Sequence, residues 1–178
     1  MGAASSGGGA LRRIARARYR VRQFTHGIRP FLAPHEVEAA RAHLSPAEFA
    51  LFLHAEARDR RHSLDLFEAL RVRGAGEAEL VAALLHDVGK GPLRTWHRVA
   101  FVLLSAASLA LARRVEAERG ASWRQALWRL RHHAALGAAR LEAVGSAPRV
   151  VELVRRHTEP PPGDDEALAR FIALDDQL

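Results

Sequence analysis

The sequence contains no cysteine. A chain without cysteine forms no disulfide and offers no thiolate, so histidine nitrogens and carboxylate oxygens must hold any bound metal. This composition suits a reducing compartment, and we expect a cytoplasmic protein. No apolar run reaches the roughly 20 residues that span a bilayer, so we also expect no transmembrane segment.

Lysine is nearly absent as well, because 26 of the 27 Lys and Arg residues are arginine. The single lysine, Lys90, closes the string His86-Asp87-Val88-Gly89-Lys90. Lysine carries a compact point charge, whereas the guanidinium of arginine is a planar fork. A lone lysine beside a His-Asp pair favours contact with a phosphate oxygen and indicates metal-assisted phosphate chemistry.

Positive charge is concentrated near the start of the chain, which has a formal net charge of +7. Residues 11–29 contain seven arginines and no acidic residue. Such a segment can bind nucleic acid, an anionic membrane or an acidic partner, or it can form a solvated helix face. Only Tyr19 and Phe24 supply aromatic rings there. This scarcity disfavours base stacking, and with it nucleic acid as a partner, without excluding it.

Apolar residues recur three or four positions apart through most of the chain, and alternation at the strand period is absent. The fold class is therefore predicted to be all-α. Ser45-Pro46-Ala47-Glu48 forms a capping box with proline at the first helical position. Together with the other glycines and prolines, it predicts helices at 11–27, 34–43, 46–58, 60–73, 77–88, 93–117, 122–144, 148–158 and 165–177.

The length of 178 residues fits one domain with its own core. We predict a disordered tail over residues 1–9, a basic helical arm over 10–45 that packs on the domain, and a domain over 46–178 that carries the chemistry. The apolar run Val99–Ala112 is expected to form a buried helix, or less readily one that rests on a membrane or a partner. The oligomeric state is left open.

The His86-Asp87 pair follows Leu80–Leu85, which is apolar on every face and predicts a helix buried all round. A carboxylate at the end of such a helix costs several kcal/mol unless it is paired or coordinates a metal. Two adjacent side chains can reach one ion or bridge two. The alternative is that Asp87 only caps the glycine turn.

Two further side chains continue apolar stripes. His157 follows three apolar residues at spacings of seven, four and three, and Asp175 does the same on the last predicted helix. Both should therefore point inward. A carboxylate aligned with apolar residues suggests a nearby cation. Asp176 is a less central alternative to Asp175.

His62 shares a helix face with apolar residues and can also point into the core. In the tandem His132-His133, the spacing favours His133, whereas His132 turns toward Trp128. Gly137, four residues after His133, would let another backbone or a ligand approach closely. Taken singly, His62 and His133 are each explained equally well by a structural role.

The order His, His-Asp, Asp around Leu85-His86-Asp87-Val88-Gly89-Lys90 resembles the HD-domain superfamily of metal-dependent phosphohydrolases, over about residues 60–176. The resemblance implies a compact multi-helix bundle that binds one or two divalent ions, with Mn, Fe, Co, Mg and Zn as candidates. It implies that two groups of side chains hold them, the first being His62, His86, Asp87 and Asp175, and the second His133 and His157 bridged by Asp87.

Two shorter strings, starting at His133 and at His157, are similar to segments of the bacterial symmetrical dinucleoside-tetraphosphate hydrolases of the HD type. The paired histidines and the Gly-Tyr-Pro signature of the HD-GYP cyclic-dinucleotide phosphodiesterases are missing, because the chain reads His157-Thr158-Glu159-Pro160. We therefore do not expect a cyclic-dinucleotide phosphodiesterase.

The resemblance implies a metal-bound hydroxide that cleaves a phosphoester or phosphoanhydride bond of a small, nucleotide-like phosphorylated substrate. Asp87 and Lys90 would be the catalytic residues. Arg58 and Arg61 beside His62, with Arg60 between them, are candidates for binding further phosphate oxygens, or they form an exposed helix start.

Two other readings of the sequence stay open. One is a catalytically silent HD-fold signalling or scaffolding module that binds a partner through its basic arm. The other is a structural helical protein whose histidines only form hydrogen bonds in the core.

Overall fold

Every regular element in the described part of the chain is a helix, which confirms the all-α prediction. The structure is a computed structural model, and it describes residues 31–120, 122–161 and 163–178. The helices are α1 (Pro34–His43), α2 (Pro46–His54), α3 (Ala57–Val72), α4 (Glu77–Leu85), α5 (Thr95–Ala107), α6 (Leu109–Val115), α7 (Trp123–Ala143), α8 (Pro148–Arg156) and α9 (Glu166–Asp175).

The predicted tail, the helix at 11–27 and most of the basic arm lie outside the described residues. Residues 32–178 form one compact unit. The division into an arm over 10–45 and a domain from residue 46 stays a prediction. None of the described helices is both long and apolar enough to cross a membrane.

The capping box before α2 is present as the sequence predicts. Ser45 Oγ accepts a hydrogen bond from the Glu48 amide at 3.3 Å, and Glu48 Oε2 accepts one from the Ser45 amide at 2.9 Å. The other oxygen of Glu48 accepts a hydrogen bond from Ser146 Oγ at 2.7 Å. Because each oxygen has a donor, this carboxylate can lie buried beneath the helix start.

The single helix predicted at 93–117 is wrong, because the chain forms two helices there. Ser108 adopts extended backbone angles (φ −167°, ψ 122°), ends α5 and starts α6. Its hydroxyl accepts a hydrogen bond from the Leu111 amide at 3.3 Å, which caps the second helix. The apolar spacing alone did not reveal that this serine would act as a cap.

The expectation that Val99–Ala112 forms a buried helix is also wrong. No residue of α5 is buried, and Ala112 is the one buried residue of the run. The side chains of Val102 and Leu103 are 62% and 64% exposed. Hydrophobicity of a segment shows that it can be buried, but a neighbouring element must be present to cover it.

Helix α4 is buried on every face between Leu80 and Leu85, as the sequence predicts. It packs between α3 and α8 and also contacts α9. Its one buried acidic residue, Glu79, is paired with Arg170 of α9 through N–O distances of 2.7 to 3.0 Å. Since the helix ends at Leu85, the residues that follow it emerge in the middle of the bundle.

The turn after α4 touches the backbone of α7. A Cβ atom added to Gly89 would lie 2.0 Å from the carbonyl oxygen of His133 and 2.6 Å from the amide nitrogen of Gly137. A Cβ on Gly137 would in turn lie 3.4 Å from the Gly89 nitrogen. The predicted close approach at Gly137 is therefore confirmed. The stricter requirement at Gly89 was not foreseen.

We predict that Gly89→Ala destabilises the fold by about 1 to 3 kcal/mol, because a methyl group there must displace two rigid backbones. Denaturant unfolding of the metal-free protein would measure this. The matched control is Gly163→Ala, where an added Cβ meets nothing within 4 Å. That variant should be neutral or slightly stabilised. Equal stability of the two variants would contradict the backbone contact.

Candidate metal centre

His86 and Asp87 lie at the end of α4 and are 1% and 3% exposed. The His86 ring donates its Nδ1–H to the Ala83 carbonyl at 2.9 Å. Its Nε2 atom and the Oδ1 atom of Asp87 are buried without a hydrogen-bond partner among the described residues. Two such atoms side by side in a core are costly unless a cation satisfies both.

Two other histidines are oriented in the same way. His133 donates Nδ1–H to the Leu130 carbonyl at 2.8 Å, and His157 donates Nδ1–H to the Val154 carbonyl at 2.7 Å. Because a carbonyl only accepts, the proton of each neutral ring sits on Nδ1. The lone pair of Nε2 is then left pointing at the site, the state that a metal ligand needs.

The Nε2 atoms of His133 and His157 face each other at 3.1 Å. In the neutral rings both atoms are acceptors, so this pair is repulsive without a proton or a metal between them. Neighbouring ligands of an octahedral ion, each about 2.1 Å from it, lie about 3.0 Å apart. Asp87 Oδ1 lies 3.6 Å from His133 Nε2. These three side chains therefore fit one ion.

A second group forms on the other side of Asp87. His62 Nε2 lies 2.8 Å from Asp175 Oδ1, and His86 Nε2 lies 3.5 Å from both Asp175 Oδ1 and Asp87 Oδ2. His62, His86 and Asp87 each offer a ligand atom within 4.8 Å of the others, and so do Asp87, His133 and His157. The structure thus brings together all six residues named from the sequence, with Asp87 shared by the two groups.

The electrostatics of the centre keep the carboxylates ionised. Burial opposes the charge on Asp87, but His86 and Lys90 outweigh it and hold the pKa of that carboxyl well below its usual range. Burial likewise opposes the charge on Asp175, and the pKa of this carboxyl is lowered by His86 and by the hydrogen bond with His62. Burial disfavours the charged form of His62, but that same bond raises its pKa.

His133 and His157 are both neutral at pH 7. Burial, and then the charge of Lys90, lowers the pKa of His133 to about 4. Burial, and then the proximity of His86, lowers the pKa of His157 to about 3. A neutral imidazole is the form that binds a metal, so this pair needs no deprotonation to do so.

Lys90 sits directly on the shared carboxylate, with Nζ 2.5 Å from Asp87 Oδ2. Its own carbonyl accepts a hydrogen bond from Arg129 Nε at 3.1 Å, and Arg140 donates to the Val88 carbonyl. Both arginines belong to α7, the helix that carries His133. They hold the turn from outside, and the sequence reasoning missed them. Their spacing of eleven residues, three helical turns, was the available signal.

The arginines near His62 differ in their surroundings. Arg61 donates to both oxygens of Glu36 at 2.8 Å and to Asp65 at 2.9 Å. Arg58, one helical turn before His62, makes no hydrogen bond or ion pair with any described residue. Burial, and then the nearby Arg98, lowers the pKa of Arg58.

His132 and Asp176, each the neighbour of a predicted ligand, are both exposed. His132 is exposed, and its ring centroid is 4.7 Å from that of Trp128, as predicted. Asp176, the alternative to Asp175, is exposed, whereas Asp175 is half-buried and contacts His62.

A family model described as HD domain matches residues 47–178. The chain belongs to the HD-domain family. This confirms the resemblance seen in the sequence. HD domains bind divalent metals and are usually metal-dependent phosphohydrolases, which agrees with the two groups around Asp87. No curated protein and no solved structure matched the chain. The likeness to dinucleoside-tetraphosphate hydrolases stays a prediction.

We predict that the metal-free HD-domain protein loses stability as the pH falls from 7 to 5. The unfolded chain binds protons near the ordinary histidine pKa of 6.5, whereas folded His133 resists protonation until about pH 4. His133 alone then accounts for about 2 kcal/mol over this range. Thermal unfolding after chelation would measure it.

His133→Gln removes the titrating ring, so its stability should depend less on pH. His132→Gln, on the exposed neighbour, is the matched control and should keep the original dependence. If the two variants showed the same dependence, the burial and neutrality of His133 would be contradicted.

Proposed function

We propose that this HD-domain protein is a metal-dependent phosphohydrolase that cleaves a phosphoester or phosphoanhydride bond of a small, nucleotide-like substrate. The observation that supports it most is the position of Asp87, which is buried and shared by two groups of inward-pointing ligand atoms. A purely structural aspartate would not need three histidine Nε2 lone pairs aimed toward it. A cytoplasmic location is part of the same proposal.

The chain would hold one or two divalent ions, with Mn, Fe, Co, Mg and Zn as candidates. His62, His86 and Asp175 would serve one ion, His133 and His157 the other, and Asp87 would bridge them. When bound, such ions lower the pKa of a coordinated water and neutralise charge on the phosphoryl oxygens. The chain's own contribution is to hold the ligand atoms in place, since backbone carbonyls fix three of the four histidine rings.

We assign Lys90 the role of charge compensation beside the reacting phosphate. Its ammonium group has three N–H donors, and contact with Asp87 uses one of them. The side chain is 17% exposed, so its remaining donors can reach a ligand that enters the site. A positive charge held there would stabilise the negative charge that develops on phosphoryl oxygens.

Arg58 is the better of the two arginine candidates for a more distant phosphate of the substrate. Its guanidinium is partly buried and has no carboxylate bound to it among the described residues. An incoming phosphate would supply the missing counterion in a bidentate contact. Arg61 already donates to Glu36 and Asp65, so its contribution is to the structure.

We predict that Asp175→Asn lowers the bound metal and abolishes turnover, because a neutral amide is a weak ligand. The measurement is the metal content of the purified protein, paired with phosphate release from nucleotides, dinucleoside polyphosphates and a generic phosphoester. The adjacent variant Asp176→Asn is the matched control and should keep metal and activity.

Failure to bind any metal, even with excess Mn or Fe, would overturn the hydrolase and favour the catalytically silent module. Full metal content and activity in Asp175→Asn would overturn the assigned ligand set. Cleavage confined to dinucleoside polyphosphates would identify the subfamily suggested by the short strings at His133 and His157.

Arg58→Gln is expected to raise KM for a polyphosphate substrate about tenfold while the protein remains folded, because one charged hydrogen-bonded contact is lost. Arg61→Gln should instead lower the melting temperature and change KM little. Steady-state kinetics and thermal unfolding of both variants would separate these effects. If Arg61→Gln raised KM and Arg58→Gln lowered the melting temperature, the roles assigned to the two arginines would be reversed.

A further inference from the structure

Helix α5 presents an apolar surface to solvent, and nothing in the proposed hydrolase uses it. The large apolar side chains of its outer stripe are all exposed by about half or more, and they are Trp96 (47%), Val99 (53%), Val102 (62%) and Leu103 (64%). We call this stripe the α5 face. Positions 96, 99 and 103 repeat at three and seven residues, so they line one side of the helix.

The opposite side of α5 anchors it to the domain. Arg98 forms a bidentate ion pair with Asp59 of α3, with N–O distances of 2.7 and 2.8 Å. The ring of Phe101 lies under the guanidinium of Arg131 of α7, with 5.3 Å between the carbon and the ring centroid. Helix α5 is therefore held in a definite orientation with its apolar face outward, so the face is not the accidental exposure of a frayed segment.

Aromatic and aliphatic groups continue beyond the helix. Trp123, at the start of α7, is 41% exposed, and its ring centroid is 6.1 Å from that of Trp96. Leu109 and Leu111 of α6, the next helix, are exposed as well. Tryptophan beside aliphatic side chains is the composition found at the boundary between water and lipid, where the ring has both an apolar body and a polar N–H.

The charge within the chain segment that carries the α5 face has one sign. From residue 88 to residue 115 the sequence contains no Asp or Glu. Arg94 precedes the helix, and Arg113 and Arg114 lie in α6. All three are exposed and make no ion pair with any described residue. An apolar stripe with unpaired cations near both ends complements a surface that is apolar inside and negatively charged outside.

We propose that the α5 face docks on an anionic lipid membrane, with the helix lying in the plane of the interface. Apolar residues would enter the acyl boundary, while Arg94, Arg113 and Arg114 would bind lipid phosphates. The short length of α5 agrees with this arrangement, since 13 residues suffice to lie on a bilayer but not to cross it. A second copy of the chain would instead bring cations of the same sign together at the contact.

The test uses the full-length protein and vesicles of phosphatidylcholine, with or without about a third phosphatidylglycerol. We expect co-sedimentation with the anionic vesicles only, weakened by salt. Blue-shifted tryptophan fluorescence should accompany it. Val102→Asp combined with Leu103→Asp should weaken partitioning at least about tenfold, because both apolar contacts are lost and charge repulsion is added.

The matched control is Val72→Asp at the end of α3, a side chain that is 72% exposed and outside the α5 face. It should bind vesicles like the unmodified protein, and circular dichroism should show that both variants are folded. Absence of binding to anionic vesicles would overturn the proposal. Binding that survives the double substitution would also overturn it and assign lipid contact to another part of the chain.

Sedimentation of the protein without vesicles tests whether a second copy of the chain, rather than a membrane, covers the α5 face. Concentration-dependent self-association that the double substitution abolishes, without vesicle binding, would show that the α5 face is a contact between copies of the chain, and this too would overturn the proposal. None of these readouts depends on hydrolysis, so the membrane proposal and the proposed function can fail separately.

Discussion

The negative charge of Asp87 in the middle of the bundle is the constraint on which the site depends. An unpaired carboxylate that is 3% exposed would cost several kcal/mol. Lys90 meets one of its oxygens, whereas the other has no hydrogen-bond partner among the described residues. The half-satisfied carboxylate and the histidine lone pairs that converge on it form a cluster that could hold a metal ion.

The scaffold around this charge relies on helix ends and backbone contacts. Asp87 and His157 each lie just after the last turn of a short helix, where the chain turns and the side chain enters the centre. Helix α7 contributes from the middle of its length, where Gly137 allows the turn at Gly89 to touch its backbone. Arg129 and Arg140 then fix the carbonyls of that turn. Precision of this kind suits ligand atoms that must meet within a few tenths of an ångström.

Helix α5 differs from the rest of the domain in the surface that it exposes. Helix α5 begins five residues after Lys90, is tied to α3 through Arg98 and Asp59, and leaves its apolar stripe in solvent. Asp59 in turn lies three residues before His62. Helix α5, which follows the His86–Lys90 string in the chain, thus also exposes an apolar surface of a kind that ordinary soluble domains seldom have. A partner bound to the α5 face would therefore contact a helix that is ion-paired, through Arg98 and Asp59, to the helix that carries His62.

The sequence by itself determined the helical class, the inward faces of His157 and Asp175, and the special nature of the His-Asp pair. These features follow from the helical period and from the cost of burying charge, both of which act over a few residues. Tertiary structure alone decided which group each side chain meets. Arg58 and Arg61 are both phosphate candidates in the sequence, and the structure distinguishes them because Arg61 meets the distant Glu36 as well as the nearby Asp65. Val99–Ala112 reads as a buried segment, yet none of the described elements covers most of it. Burial and ion pairing depend on two surfaces that meet in the fold, whereas a local sequence pattern describes only one of them.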